Sequence, residues 1–248
     1  MIQNFTATLL KKIQVSTDVW RFHFGLDPSM KLEFKAGQYM ILKVGEKRRL
    51  YSISSPDYIH DSFELLVQII PEGVGSTFLN NLAIGEPADF QGPAGLFGLK
   101  SDTRDKIFLA TGTGIAPIRS KILSVLHSLE HKISSNEMKP PSMYLFWGLR
   151  TMKDAYFVDE FIELANTYNN FSFYMCLSKE TDEEILKKAN FKKGRINEVL
   201  VRYFEVSNGD LSNEYEYYIC GGREVVAWMH QFLLDKNVEK ENIILEKF

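Results

Sequence analysis

The stretch "KIFLATGTGIAP", residues 106–117, divides the chain into two kinds of sequence. Its first half is a short apolar run of the sort found in strands buried on both faces. Gly112 and Gly114 then let the backbone turn tightly and approach a ligand, and Pro117 suits the first turn of a helix. Exposed amides at such a helix start favour an anion. There is no third glycine at the spacing of the usual dinucleotide fingerprint, so by itself the turn reads equally well as a plain strand-to-helix connection.

Downstream of this stretch the chain alternates. "PIRSKILSVLHSLEHKI" places Ile118, Ile122, Leu126, Leu129 and Ile133 near one helical face. "MYLFWG", "FSFYMCL" and "YEYYIC" read as strands, with "AYFVDEFIELANTY", "NEVLVRYF" and "EVVAWMHQFLLDKN" as helices, and "NIILEKF" closing the run. Strand–helix alternation predicts a parallel sheet covered on both faces. Residues 132–142 read as a polar connection, and "EILKKANFKK" as a charged loop or frayed helix.

Upstream the rhythm has period two. "VWRFHFGL" sets Trp20, Phe22, Phe24 and Leu26 against Arg21 and His23, which places His23 at the surface. "GQYMILKV", "RLYSIS", "FELLVQII" and "ADFQG" follow between turn signals, and no helical period appears before "GSTFLNNL". The expected fold is therefore an antiparallel β-barrel over residues 1–100 and a parallel-sheet α/β domain over 101–248.

Bulk properties exclude several function classes. The 248 residues carry 29 basic and 32 acidic side chains, a net charge of -3, so nothing calls for nucleic acid or an anionic membrane. Two cysteines, Cys176 and Cys220, cannot supply a four-thiolate iron–sulfur or zinc site, so no metal is expected. Their number suits a reducing compartment. With neither a signal-peptide pattern nor an apolar run long enough to span a bilayer, a cytoplasmic monomer is expected.

Three motifs carry chemistry. In "RRLYSISSP" (48–56), Arg49 and Tyr51 share one strand face, and Leu50 and Ser52 the other. A guanidinium beside a phenol suits an anionic ligand with a flat ring, and the same charges also suit a guarded edge strand. In "EGVGSTF" (72–78), Gly73 and Gly75 free the backbone, and Ser76 and Thr77 offer hydroxyls and amides to a phosphate or simply cap a helix. Arg150 and Lys179 each follow an expected strand and "KKGRI" brings Arg195, as phosphate ligands or as solvated surface cations.

The order of these pieces resembles the ferredoxin–NADP reductase family across essentially the whole chain. Arg49-x-Tyr51-Ser52 is similar to its flavin-binding R-x-Y-[ST] strand, and Gly75-Ser76-Thr77 to its pyrophosphate turn. "GPAGLFGL" is similar to its barrel-closing segment, "GTGIAP" to the start of its nicotinamide domain, and "YICG" to its C-G turn. The resemblance implies FAD as cofactor and a hydride transfer from nicotinamide to flavin N5. Arg49 would neutralise the phosphates, Leu50 and Tyr51 would line the flavin, and Ser52 would bond near N5. Leu66 would contribute backbone contacts along the ring, with Gly73, Gly75, Ser76 and Thr77 at the pyrophosphate and Thr113 beside the ring.

On the nicotinamide side, the resemblance places Ser178, Lys179, Arg195, Arg150 and Gly221 at the coenzyme and Cys220 near nicotinamide C4. Phe248 corresponds to the family's terminal aromatic lid, with Glu246 at the ring's polar edge. Lys179 stands where NADPH-using bacterial members carry arginine, and "CGGREVV" lacks the usual proline after Cys-Gly. The three cations favour NADPH over NADH. The implied activity is that of a ferredoxin– or flavodoxin–NADP reductase. The rival readings are an NADH-dependent reductase component of an oxygenase and a flavin-holding subunit of a larger complex.

Overall fold

The computed structural model describes residues 2–100, 103–132, 140–206 and 209–248. Ile133 and residues 133–139 of the expected polar connection lie outside the described residues. The chain forms two compact units, Met1–Lys100 with Ala116–Glu130, and Ser101–Ile115 with His131–Phe248.

The first unit is built on an antiparallel sheet of six strands. They are β1 (Gln3–Gln14), β2 (Val19–Gly25), β3 (Tyr39–Val44), β4 (Lys47–Ser52), β5 (Ser62–Gln68) and β6 (Pro87–Ala94), in the order β4-β3-β6-β1-β2-β5. An antiparallel bridge between Ile53 and Leu65 brings the two outer strands together and curls the sheet into a barrel. The alternation read in "VWRFHFGL" follows from this closure. Phe22 and Phe24 point inward and are fully buried, and the Phe24, Phe63 and Phe90 rings pack together with centroids 5.0–5.4 Å apart. One short helix, α1 (Val74–Asn81), follows β5.

β1 is not among the runs that the sequence picks out. Its alternation of Phe5, Ala7 and Leu9 is broken by an irregularity between Leu9 and Lys11, and Leu10 is left exposed beside a fully buried Leu9. Pairing on both sides, with β2 and β6, holds the strand together where its local pattern is weak.

Residues 116–130 of the helix α2 (Ile115–Lys132) group with the barrel. Polar side chains join them to it. Arg119 donates to Ser54 O at 2.8 Å and meets Glu64 Oε2 at 3.1 Å. Ser120 donates to Ser55 O at 2.7 Å, and Ser124 Oγ accepts the Asp57 N–H at 3.0 Å.

The second unit is a parallel sheet with strands β7 (Lys106–Thr111), β8 (Met143–Leu149), β9 (Phe171–Leu177), β10 (Phe191–Lys193), β11 (Glu216–Gly221) and β12 (Ile243–Lys247). Their order is β10-β9-β8-β7-β11-β12. Neighbouring residues of β8 face opposite sides. Phe146 joins the core beneath α5 (Ile196–Val206) and α6 (Arg223–Asp235), while the Trp147 ring meets Phe161 of α3 (Val158–Thr167) on the other face. The segment read as a charged loop or frayed helix holds the short helix α4 (Glu183–Leu186) and also the edge strand β10, anchored by buried Phe191. A strand of three residues is too short to show a period, so only its pairing with β9 reveals it. No helix among the described residues is long and apolar enough to cross a membrane.

Candidate functional site

In the first unit Arg49, Tyr51, Gly73, Gly75, Ser76 and Thr77 come together at the start of α1. Arg49 pairs with Leu42 and Tyr51 with Met40, both fully buried, so Arg49 and Tyr51 stand on the face that continues the barrel core. α1 meets them there. A Cβ added at Gly75 would lie 2.4 Å from Tyr51 Oη and 2.9 Å from Arg49 Cγ, so only glycine allows this approach. Leu50 faces the other way and is exposed. The bridge beside Ser52 brings Leu65, and with it the buried Leu66, to the end of β4.

The electrostatics of this cradle suit an anion. Arg49 is exposed, its guanidinium donates to Arg48 O at 2.8 Å, and no carboxylate among the described residues pairs with it. Burial pushes the Tyr51 phenol up to about 12, against the pull of the Arg49 charge, so it is a neutral ring and donor at physiological pH. Gly73 caps α1 without a side-chain bond. The Ser76 hydroxyl is engaged in the turn, accepting from Ile70 N–H at 3.2 Å and lying 3.1 Å from Gly73 O. A ligand here meets the helix-start backbone and the exposed Thr77 rather than the Ser76 hydroxyl.

In the second unit every remaining candidate lies at the carboxyl end of a strand. The strand order reverses beside β7, and in such sheets the crevice at the reversal is where ligands bind. Thr113 lies in a 3-10 turn over Gly112–Gly114 that opens there. Gly112 adopts φ +51°, and its carbonyl accepts from Trp147 Nε1 at 3.1 Å. A Cβ at Gly114 would fall 2.3 Å from Cys220 O, which sets the GTG turn directly on the Cys220–Gly221 turn. Cys220 is buried and in register with Glu246 of β12. Phe248 is exposed, and its N–H reaches Gly221 O at 3.4 Å.

Gly114→Ala is expected to destabilise the second unit by about 3 kcal/mol, the upper end for overpacking, because the clash is with backbone that cannot rotate away. Gly222→Ala, whose Cβ would meet nothing within 4 Å, is the control. Urea unfolding midpoints compare them, and equal midpoints would refute the close approach.

The three cations sit on adjacent strand ends, Arg150 after β8, Lys179 after β9 and Arg195 after β10. The loops are tied together, with Ser178 N–H donating to Leu149 O at 3.1 Å, Lys179 N–H to Arg150 O at 2.7 Å and Gly194 N–H to Leu177 O at 3.2 Å. All three cations and Ser178 are exposed, and among the described residues none of the cations forms an ion pair. Such a row of uncompensated positive charge is a place for a phosphate. Sequence reasoning passed over Glu180, a buried carboxylate in the middle of this row whose only signal is its position after Lys179.

Comparison with known proteins agrees with this division of labour. An oxidoreductase FAD-binding domain family matches residues 6–98, and an oxidoreductase NAD-binding domain family matches residues 108–231. A 2-halobenzoate 1,2-dioxygenase electron transfer component from Burkholderia cepacia is 30% identical over 94% of this chain, which spans 64% of that relative. The reductase component of a propane 2-monooxygenase from Mycolicibacterium smegmatis is 28% identical over 88% of this chain, which spans 60% of it. The crystal structure of the Amycolatopsis cytochrome P450 reductase GcoB superposes with a TM-score of 0.82 at 25% identity, covering 100% of this chain and 70% of its own. A ferredoxin NADP+ reductase from Neisseria gonorrhoeae, crystallised with FAD and NADP, has the same fold, with a TM-score of 0.78 at 22% identity over 98% of both chains. With both domain families matched in order and the cradle and strand-end row in place, the chain belongs to the ferredoxin–NADP reductase-type family of flavoprotein oxidoreductases.

Proposed function

We propose that the chain is an FAD-dependent reductase that oxidises NADPH in preference to NADH and passes single electrons to a carrier protein. The observation that carries the coenzyme choice is the row of Arg150, Lys179 and Arg195 on neighbouring strand ends, with no ion pair among the described residues. The 2′-phosphate is the part of the coenzyme that separates NADPH from NADH, and it is what such a row would select.

The cradle of Arg49, Tyr51 and Gly75 fits a flavin diphosphate with a ring attached. Bound there, FAD would supply acceptance of a hydride and release of electrons one at a time. Arg49 would neutralise phosphate charge, and the helix-start amides of α1 would bond phosphate oxygens. The neutral Tyr51 ring would pack on the ligand without titrating. In the second unit, the backbone of the GTG turn and of Cys220–Gly221 would shape the nicotinamide end, while the cations would hold the adenosine end. The roles of Ser52, Thr113, Cys220, Glu246 and Phe248 at the reacting groups rest on the family resemblance and belong to this proposal.

The carrier is a ferredoxin or flavodoxin in this reading. A second reading, a reductase component serving an oxygenase with NADH, draws on the names of the relatives, two of which are oxygenase components. Anaerobic flavin bleaching by NADPH and by NADH, followed by reduction of ferredoxin and of flavodoxin, separates the two. Equal or faster bleaching by NADH would favour the second. Arg49→Ala is expected to weaken FAD binding roughly 10- to 100-fold by removing a charge-assisted contact worth about 1.5–3 kcal/mol. Fluorescence titration of the apoprotein with FAD reads this, and an unchanged affinity would remove Arg49 from the phosphate site.

A further inference from the structure

Glu180 is a buried carboxylate between exposed Lys179 and the start of α4, only 8% accessible. Its Oε2 accepts the Met152 N–H at 2.9 Å. Its Oε1 accepts the N–H groups of Thr181 at 2.9 Å and Asp182 at 3.0 Å. Met152 lies two residues beyond Arg150, in the loop after β8, whereas Thr181 and Asp182 belong to the loop after β9 that carries Lys179. One side chain thus fastens two cation-bearing loops to each other, beside the backbone bond from Lys179 N–H to Arg150 O.

Each loop is also stiffened within itself. Asp154 Oδ2 accepts the Thr151 N–H at 2.9 Å and its hydroxyl at 3.1 Å, and Asp182 caps α4 by accepting from Glu184 N–H at 2.9 Å. Backbone bonds join the two loops at Leu149 and Arg150, and the contact from Met152 N–H to Glu180 Oε2 joins them farther from the strand ends.

We propose that Glu180 is a positioning residue for coenzyme discrimination, its carboxylate holding the Arg150 and Lys179 loops at the spacing that grips a 2′-phosphate. This rests on the NADPH reading above. A carboxylate close to a phosphate site is otherwise unfavourable, since like charges repel. Here its charge is answered by three backbone N–H groups, the Met152 N–H foremost, which hold the carboxyl below the usual carboxylate range. It stays ionised at neutral pH and keeps accepting at both oxygens.

The isosteric change Glu180→Gln separates two effects of opposite sign. An amide has one oxygen, so either orientation turns its NH2 toward an N–H that the carboxylate had accepted. Turned to keep Thr181 and Asp182, it loses Met152 and with it the side-chain link between the loops, leaving only the backbone bonds at Leu149 and Arg150. If Glu180 acted only as a charge, removing it would lower the KM for NADPH. If it acts as a fastener, the KM for NADPH rises.

The test uses the full FAD-loaded chain. Glu180→Gln is expected to raise the KM for NADPH about fivefold or more, with the NADH KM and both kcat values within about twofold, as for lost uniform binding. Amide exchange at Met152, followed by NMR without coenzyme, is expected to quicken about tenfold. Met152→Pro is the second variant and serves if the first does not fold. Met152 opens a 3-10 turn after extended Thr151, a place that accepts proline, and the change removes the N–H while leaving the Glu180 charge. It should produce the same selective rise.

An unchanged Met152 exchange rate in Glu180→Gln, or an unchanged or lower KM for NADPH in both variants, overturns the proposal. Failure of the underlying reading looks different. In that case Lys179→Ala with Arg195→Ala leaves the NADPH-to-NADH ratio unchanged although Met152 exchange still quickens in Glu180→Gln, and both readings fall.

Discussion

Gly75→Ala is expected to cost the protein its flavin, weakening FAD binding about 100-fold, the upper end of the roughly 1–3 kcal/mol that overpacking costs. The added methyl would lie 2.4 Å from Tyr51 Oη and 3.0 Å from Arg49 Cβ. The Tyr51 oxygen can retreat only by swinging a half-buried ring, and Arg49 Cβ is fixed by the strand itself. Either β4 or α1 must then shift, and both carry groups assigned to the flavin. The loss should fall on ligand binding rather than folding, because β4 begins at an exposed hairpin turn that can give way. Gly98→Ala, whose Cβ would meet nothing within 4 Å, is the control in the same unit. Flavin content after gel filtration and the FAD dissociation constant read the outcome. A Gly75→Ala protein as yellow as the parent, with the same affinity, would show that this cradle does not hold the cofactor.

The double change Lys179→Ala with Arg195→Ala is expected to raise the KM for NADPH about 30- to 100-fold and the KM for NADH less than about threefold. Each cation offers a charge-assisted contact, and both are exposed, so solvent and salt take part of its worth. Two such contacts on one phosphate still leave a large selective loss. The structure adds a condition that spacing in the chain does not supply. β9 pairs with both β8 and β10, so the residues that follow these strands emerge side by side. The effect should shrink as salt is raised, since the contacts are electrostatic. Equal loss for both coenzymes would place the two residues on a part of the ligand that NADPH and NADH share.

Much of this protein is legible in its residues alone. The period-two runs of the first hundred residues and the strand–helix alternation after Lys106 follow from how a strand or helix buries one face, a local property. The run at 48–56 and the glycine turns at 72–78 and 111–117 are legible for the same reason, since each is a contiguous demand on backbone shape. β1 and β10 were harder to see, one because an irregularity breaks its alternation and the other because three residues carry no period.

What the tertiary structure alone decided is which distant pieces meet. Tyr51 and Gly75 meet across a loop, the strand β5 and a turn, and Gly114 sits on Cys220 more than a hundred residues away. Residues 116–130 group with the barrel and bond to Ser54, Ser55, Asp57 and Glu64, none of which marks itself as a partner for a helix so far along the chain. Glu180 reads in sequence as one more surface acid, and only the folded loops show its oxygens turned onto three amides. Local patterning records which face of an element is buried. Which element covers that face is settled by packing and by hydrogen bonds between residues remote in the chain, and these leave no period to read.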